Sequence, residues 1–128
     1  MEKITVTMPK RIKSDLGRLK HAMKVLEDNN FVARLQAACC SSCAWHVLGN
    51  PVCDEPGGAR GICFTNNQSH ASAFKSGNTL LRPLYFQWDG DAKAMLDVLQ
   101  QCGFKTVWNG TKNDCFAVVP ENYNEKEV

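Results

Sequence analysis

The sequence predicts an α+β fold: an antiparallel or mixed sheet with two helices on one face, in the split βαβ or ferredoxin-like manner, plus an N-terminal amphipathic helix. Three observations predict it. The apolar residues switch along the chain between a period of two and a period of 3.6. The segments after residue 30 alternate as β-α-β-β-α-β-β. Finally, 128 residues with 44% hydrophobic content close one core and are too few for two. One domain is expected over 1–128, with a strand and a basic helix in 1–30, a core in 31–120 and a polar tail in 121–128.

Ile4, Val6 and Met8 alternate with Thr5 and Thr7, the pattern of a half-buried strand ending at Pro9. Ile12, Leu16, Leu19, Met23 and Leu26 then recur every three or four residues, forming one stripe on a helix opened by Pro9 and ended by Asp28-Asn29-Asn30. Phe31 to Ala37 reads as a strand, and Ala44 to Leu48 as a short helix broken at Gly49-Asn50-Pro51. A loop runs from Pro51 through Gly58, Gly61 to Asn66 is the next strand, and the polar stretch Asn67 to Asn78 is expected to be a long connection. Leu80 to Trp88 alternates as a strand. Asp89 or Asp91 can cap the helix that carries Met95, Val98, Leu99 and Cys102, with Gly103 as its stop and Phe104 as the contact beyond. Val107-Trp108 and Cys115 to Val119 close the chain as strands joined around Asn109-Gly110.

Charge and composition restrict the function classes. Residues 1–24 hold seven basic and two acidic side chains, a local balance of +5, so the rest of a chain of overall charge +2 is acidic. No apolar run approaches the roughly 18 residues of a membrane span, and the opening residues lack the apolar core of an export signal. A cytoplasmic protein without membrane contact is expected, and in that compartment its seven cysteines would be reduced.

Cys40-Ser41-Ser42-Cys43 has the CxxC spacing, which suits two chemistries. Two thiolates can hold one side of a zinc ion if two further ligands exist; the set expected in that case is Cys40, Cys43, Cys53 and Cys63. The same pair at a helix start could form a redox couple. The preferred reading is plainer: small buried side chains where a strand meets a helix, hence no cofactor, no resident metal and no catalytic residue. No nucleophile–base pair and no phosphate-binding glycine motif is evident, and Asp89 and Asp91 are explained by capping.

Two segments resemble known families. Phe31 to Trp45 with Ala38-Cys39-Cys40-Ser41-Ser42-Cys43, the Leu84-Tyr85-Phe86-Gln87-Trp88 strand and the Trp108-Asn109-Gly110 ending resemble an uncharacterised bacterial domain marked by Cys-Cys-x-Ser-Cys-Gly, over about residues 30–119. Ala44 replaces that domain's glycine, Asn109 its final aspartate, and Thr65-Asn66 its His-Gln. The resemblance implies a fold and no activity. Lys3 to Pro9 followed by a basic helix resembles the opening of a ribbon-helix-helix DNA-binding domain, which implies a homodimer presenting Lys3, Thr5 and Thr7 to the major groove.

The function expected from the residues is a non-enzymatic, intracellular protein-binding module, a regulator or inhibitor of the kind phages deploy against host defence. Its protein partner would meet Lys10, Arg11, Lys13, Arg18, Lys20 and Lys24, with Tyr85 or the loop Asn67 to Asn78 as a second surface. Nucleic-acid binding through the same basic segment is the first alternative, and zinc or thiol-redox chemistry at the CxxC segment the second.

Overall fold

A computed structural model describes residues 3–52, 57–112 and 114–123. The elements run α1 (Asp15–Asp28), β1 (Phe31–Arg34), α2 (Ser41–Leu48), β2 (Gly61–Phe64), α3 (Asn67–Phe74), β3 (Leu84–Gly90), α4 (Ala92–Gln101), β4 (Lys105–Val107) and β5 (Phe116–Val119). The five strands form one mixed sheet in the order β1-β2-β3-β5-β4, parallel between β1 and β2 and antiparallel elsewhere.

The α+β class, the mixed sheet and the N-terminal helix are therefore as the sequence predicts. The strand order differs from a split βαβ unit in one respect. β1 and β2, the parallel pair joined through α2, are direct neighbours with Phe31 opposite Gly61, and no strand separates them. The other edge of β2 is taken by β3, whose Gly90 lies opposite Gly61. Glycine is required at position 90: a Cβ there would stand 2.5 Å from the Arg60 carbonyl oxygen, and Gly90 has a φ of +95°.

One sheet face carries the main core. Leu19, Ala22, Met23 and Leu26 of α1 and Met95, Val98 and Leu99 of α4 pack over Phe31, Ala33, Cys63, Leu84, Phe86, Phe116 and Val118. Phe86 and Phe116 stack with centroids 5.1 Å apart. On the opposite face α2 lays Ala44, Trp45 and Leu48 on Ile62 and Phe64, which covers the β1–β2 half. The two faces thus receive helices from neighbouring parallel strands: α2 after β1 on one side, and α3 after β2, through Ala73 and Phe74, on the other.

Five expectations of secondary structure are corrected. The segment 3–9 pairs with no strand among the described residues, although its alternation is real: Ile4 is 7% exposed while Lys3, Thr5 and Thr7 face solvent. Its hydrogen bonds go to side chains instead, because it crosses helices rather than a sheet edge. Val6 N–H donates to Gln101 Oε1 at 2.9 Å, Gln101 Nε2 donates to the Ile4 carbonyl at 2.7 Å, and His21 Nε2 lies 3.0 Å from the Thr7 carbonyl. Helix α1 starts at Asp15 rather than at Pro9, since the Ser14 side chain accepts from Gly17 N–H and caps it. The predicted connection 67–78 contains α3, capped by Asn66 accepting from Ser69 N–H. The strand from Phe31 ends at Arg34, because Gln36 takes a φ of +53° and turns the chain; likewise β3 begins at Leu84, just after Pro83.

Candidate functional site

Where the two parallel strands end, two loops are tied together. The buried Thr65, 1% exposed, accepts from Gln36 N–H through Oγ1 at 2.9 Å and from Ala37 N–H through its carbonyl at 2.9 Å, and donates its own N–H to the Arg34 carbonyl at 3.1 Å. Asn67 N–H donates to the Ala38 carbonyl at 2.8 Å, and Asn66 Nδ2 donates to Ser41 Oγ at 3.0 Å. These bonds hold the first turns of α2 and α3 side by side, beyond the carboxyl ends of adjacent strands whose helices leave to opposite faces. In open α/β sheets such a switch point is where ligands are bound.

At this switch point stand Cys39, Cys40 and Cys43. Their three sulfurs lie within 4.8 Å of one another, and the Sγ atoms of Cys39 and Cys40 are 4.0 Å apart. Cys40 is the N-cap of α2, and Cys43 lies three residues on, so the first turn brings both sulfurs to one side. Cys39 joins them because the loop knitted to Thr65 and Asn67 carries it there. Cys39 and Cys43 are exposed and Cys40 is half-buried.

The electrostatics separate the three thiols. Cys40 makes no side-chain capping bond of the usual oxygen type, but once ionised its sulfur faces the Cys43 N–H, which holds its pKa below the ordinary thiol value, with the neighbouring thiols and Ser42 N–H assisting. Cys43 is pushed the other way, to about 11, by hydrogen bonds and charge from Cys39 and Cys40. Within one site, therefore, Cys40 is biased toward the thiolate and Cys43 toward the thiol.

The expectation that the cysteines fill the core is corrected for this cluster and accurate for Cys63 and Cys102, which are buried in the main core. The metal set Cys40, Cys43, Cys53 and Cys63 is corrected as well. Cys63 lies on the α1–α4 face at 0% exposure, and burial raises its thiol to about 12, so it has no access to the cluster. Cys53 lies outside the described residues. Cys39 is the member that the CxxC spacing misses; three cysteines within five residues was the available signal.

Lys10, Arg11 and Lys13 are exposed ahead of α1, and Lys20 and Lys24 are exposed along it. Arg18 is engaged in structure: it pairs with Asp15, donates to the Cys102 carbonyl at 2.8 Å and lies over the Phe104 ring at 4.7 Å. Tyr85, 55% exposed, alternates with the core residues Leu84 and Phe86 and so lies on the other side of the sheet from α1. No described helix is long and apolar enough to cross a membrane.

Comparison with known proteins places these residues in one family and no further. No curated protein and no solved structure matches the chain. A family model described as a domain of unknown function, DUF6891, matches residues 8–126, taking in α1, the cysteine loop and the whole sheet. The chain belongs to the DUF6891 family of domains of unknown function.

Proposed function

We propose that this domain acts through Cys39, Cys40 and Cys43 as a thiolate site for a soft metal ion. The observation that carries the reading is the convergence of three solvent-accessible sulfurs within 4.8 Å on a hydrogen-bonded frame. Thiolates select soft ions such as zinc and copper(I), and a bond of about 2.3 Å to each sulfur needs sulfurs roughly 4 Å apart. The N-terminus of α2 favours the negative charge of the ionised cluster. The test is titration of reduced, metal-free protein with zinc under anaerobic conditions. One equivalent should bind, uptake should disappear when all three cysteines become serine, and Cys63→Ser should bind as the parent does. Equal uptake by the triple variant, or no stoichiometric uptake of either zinc or copper(I) by the parent, rejects the proposal.

Protein binding is the second reading, and the observation that favours it is the uncovered half of the sheet. There Tyr85 lies opposite Ala117, which lies opposite Val107, a row across three strands with no described helix over it. Capture of a partner from cell extract should weaken with Tyr85→Ala in a chain of unchanged melting temperature. Reversal of Lys10, Lys13 and Lys20 tests the basic surface separately. A partner retained by both variants rejects this reading.

A further inference from the structure

The donor set itself restricts which ion fits. The cluster consists of three sulfurs, and among the described residues no imidazole or carboxylate lies within the same reach. Zinc in a closed protein site takes four ligands, so the set among the described residues is one short of a zinc tetrahedron. A monovalent d¹⁰ ion is satisfied by three thiolates in a plane. The spacing agrees: bonds of about 2.3 Å place sulfurs about 4.0 Å apart in a trigonal plane and about 3.8 Å apart in a tetrahedron. Cys39 Sγ and Cys40 Sγ stand 4.0 Å apart, and the third sulfur needs to move by less than an ångström. Two sulfurs are held by the first turn of α2 and the third by the loop tied to Thr65 and Asn67, so the triangle is formed before any ion arrives. Exposure of Cys39 and Cys43 leaves one side open to an incoming ligand.

Resting on the reading of this cluster as a metal site, we propose that Cys39, Cys40 and Cys43 bind a single copper(I) ion in three-coordinate, all-sulfur geometry, with the open side available for exchange to a thiol-bearing acceptor. Loading is a ligand exchange without electron transfer: the nitriles that copper(I) arrives with leave to solvent, three S–H bonds give up their protons to solvent, three Cu–S bonds form, and copper remains monovalent. The geometry requires all three sulfurs equally, which distinguishes it from a two-sulfur CxxC site in which Cys39 would be a bystander.

The experiment loads the full chain anaerobically with copper(I) from its acetonitrile complex against a chromogenic copper(I) chelator, and reads the bound ion by X-ray absorption. The expected result is one copper per chain with three sulfurs at about 2.3 Å and no lighter ligand, whereas zinc on the same protein shows three sulfurs and one oxygen or nitrogen. Cys39→Ser, Cys40→Ser and Cys43→Ser should each reduce the sulfur count to two and weaken retention against the chelator at least tenfold; alanine variants at the same positions repeat the test without a hydroxyl. Two sulfurs in the parent, a Cys39 variant that retains copper as the parent does, a multi-copper cluster, or zinc held by four sulfurs overturns the three-coordinate assignment while leaving a metal site in place. Failure of both ions to bind stoichiometrically removes the metal site itself.

Discussion

Replacing Gln101 with alanine tests how the N-terminal segment is held. This one side chain bridges α4 and the strap: it accepts from Val6 N–H at 2.9 Å, donates to the Ile4 carbonyl at 2.7 Å and donates to Asp97 Oδ2 at 2.9 Å. Each neutral bond contributes about 1 kcal/mol net, so losing the two strap bonds costs about 2 kcal/mol while the strap stays in place. The loss has a ceiling, because the strap can detach; detachment exposes Ile4, whose burial is worth about 1.5–3 kcal/mol, together with half-buried Val6 and Met8. The expected outcome is a fall in unfolding free energy of about 2 kcal/mol in urea melts and amide exchange at Val6 faster by about 30-fold. Gln101→Glu, which keeps the acceptor for Val6 and loses the donor, should be intermediate. An unchanged urea midpoint with unchanged Val6 exchange refutes the strap. Exchange at Val6 that slows as protein concentration rises refutes it differently, by showing a ribbon paired between two copies.

Other outcomes follow from the same structure. Burial raises Cys63 from 9.0 to about 12, so the folded state holds a proton that the unfolded chain releases; its stabilising contribution is intact below pH 9 and lost as pH rises toward 12, by up to about 1.4 kcal/mol per pH unit. Urea midpoints across pH 8–10.5 should fall more steeply for the parent than for Cys63→Ala, and equal slopes reject the assignment. Metal uptake should depend steeply on pH, because Cys43 is held protonated up to about 11 while Cys40 ionises below its ordinary value; apparent affinity should rise by roughly two to three decades per pH unit near neutrality, and a pH-independent affinity contradicts thiolate ligation. Asn66→Ala should cost about 1–2 kcal/mol by losing the α3 cap and the tie to Ser41, whereas Asn66→Asp keeps the cap and should recover most of the melting temperature. Gly90→Ala should be destabilised by about 2–4 kcal/mol, since its Cβ would meet backbone atoms of Arg60 and Gly61 that cannot move aside; a loss under about 0.5 kcal/mol would show that the strands can separate there.

Local periodicity alone determined a good deal of this protein. The Leu19–Met23–Leu26 stripe, the alternation of Leu84, Phe86 and Trp88, the Asp91 cap and the Gly103 stop are each set by neighbours within a few residues, and each stands in the structure as the sequence predicts. Alternation at Ile4, Val6 and Met8 also predicted the buried side correctly, but burial repeats every second residue in any extended segment, and what receives its hydrogen bonds is decided by distant Gln101. Helix α3 escaped sequence reading because only Ala73 and Phe74 are buried, too few to form a stripe, while its Asn66 cap looks like loop chemistry.

The candidate site divides in the same way. The α-helical turn makes Cys40 and Cys43 neighbours at three-residue spacing wherever such a helix forms, so that pair was legible. Cys39 belongs to the triangle only because Thr65 and Asn67, nearly thirty residues along the chain, hold its loop through hydrogen bonds that no local pattern encodes. Cys63 has the same composition and the opposite fate, since its position on β2 faces the core. Short-range sterics and backbone hydrogen bonding fix local conformation; which sulfurs meet and which are sealed away is settled by long-range packing of the sheet and its two helix layers.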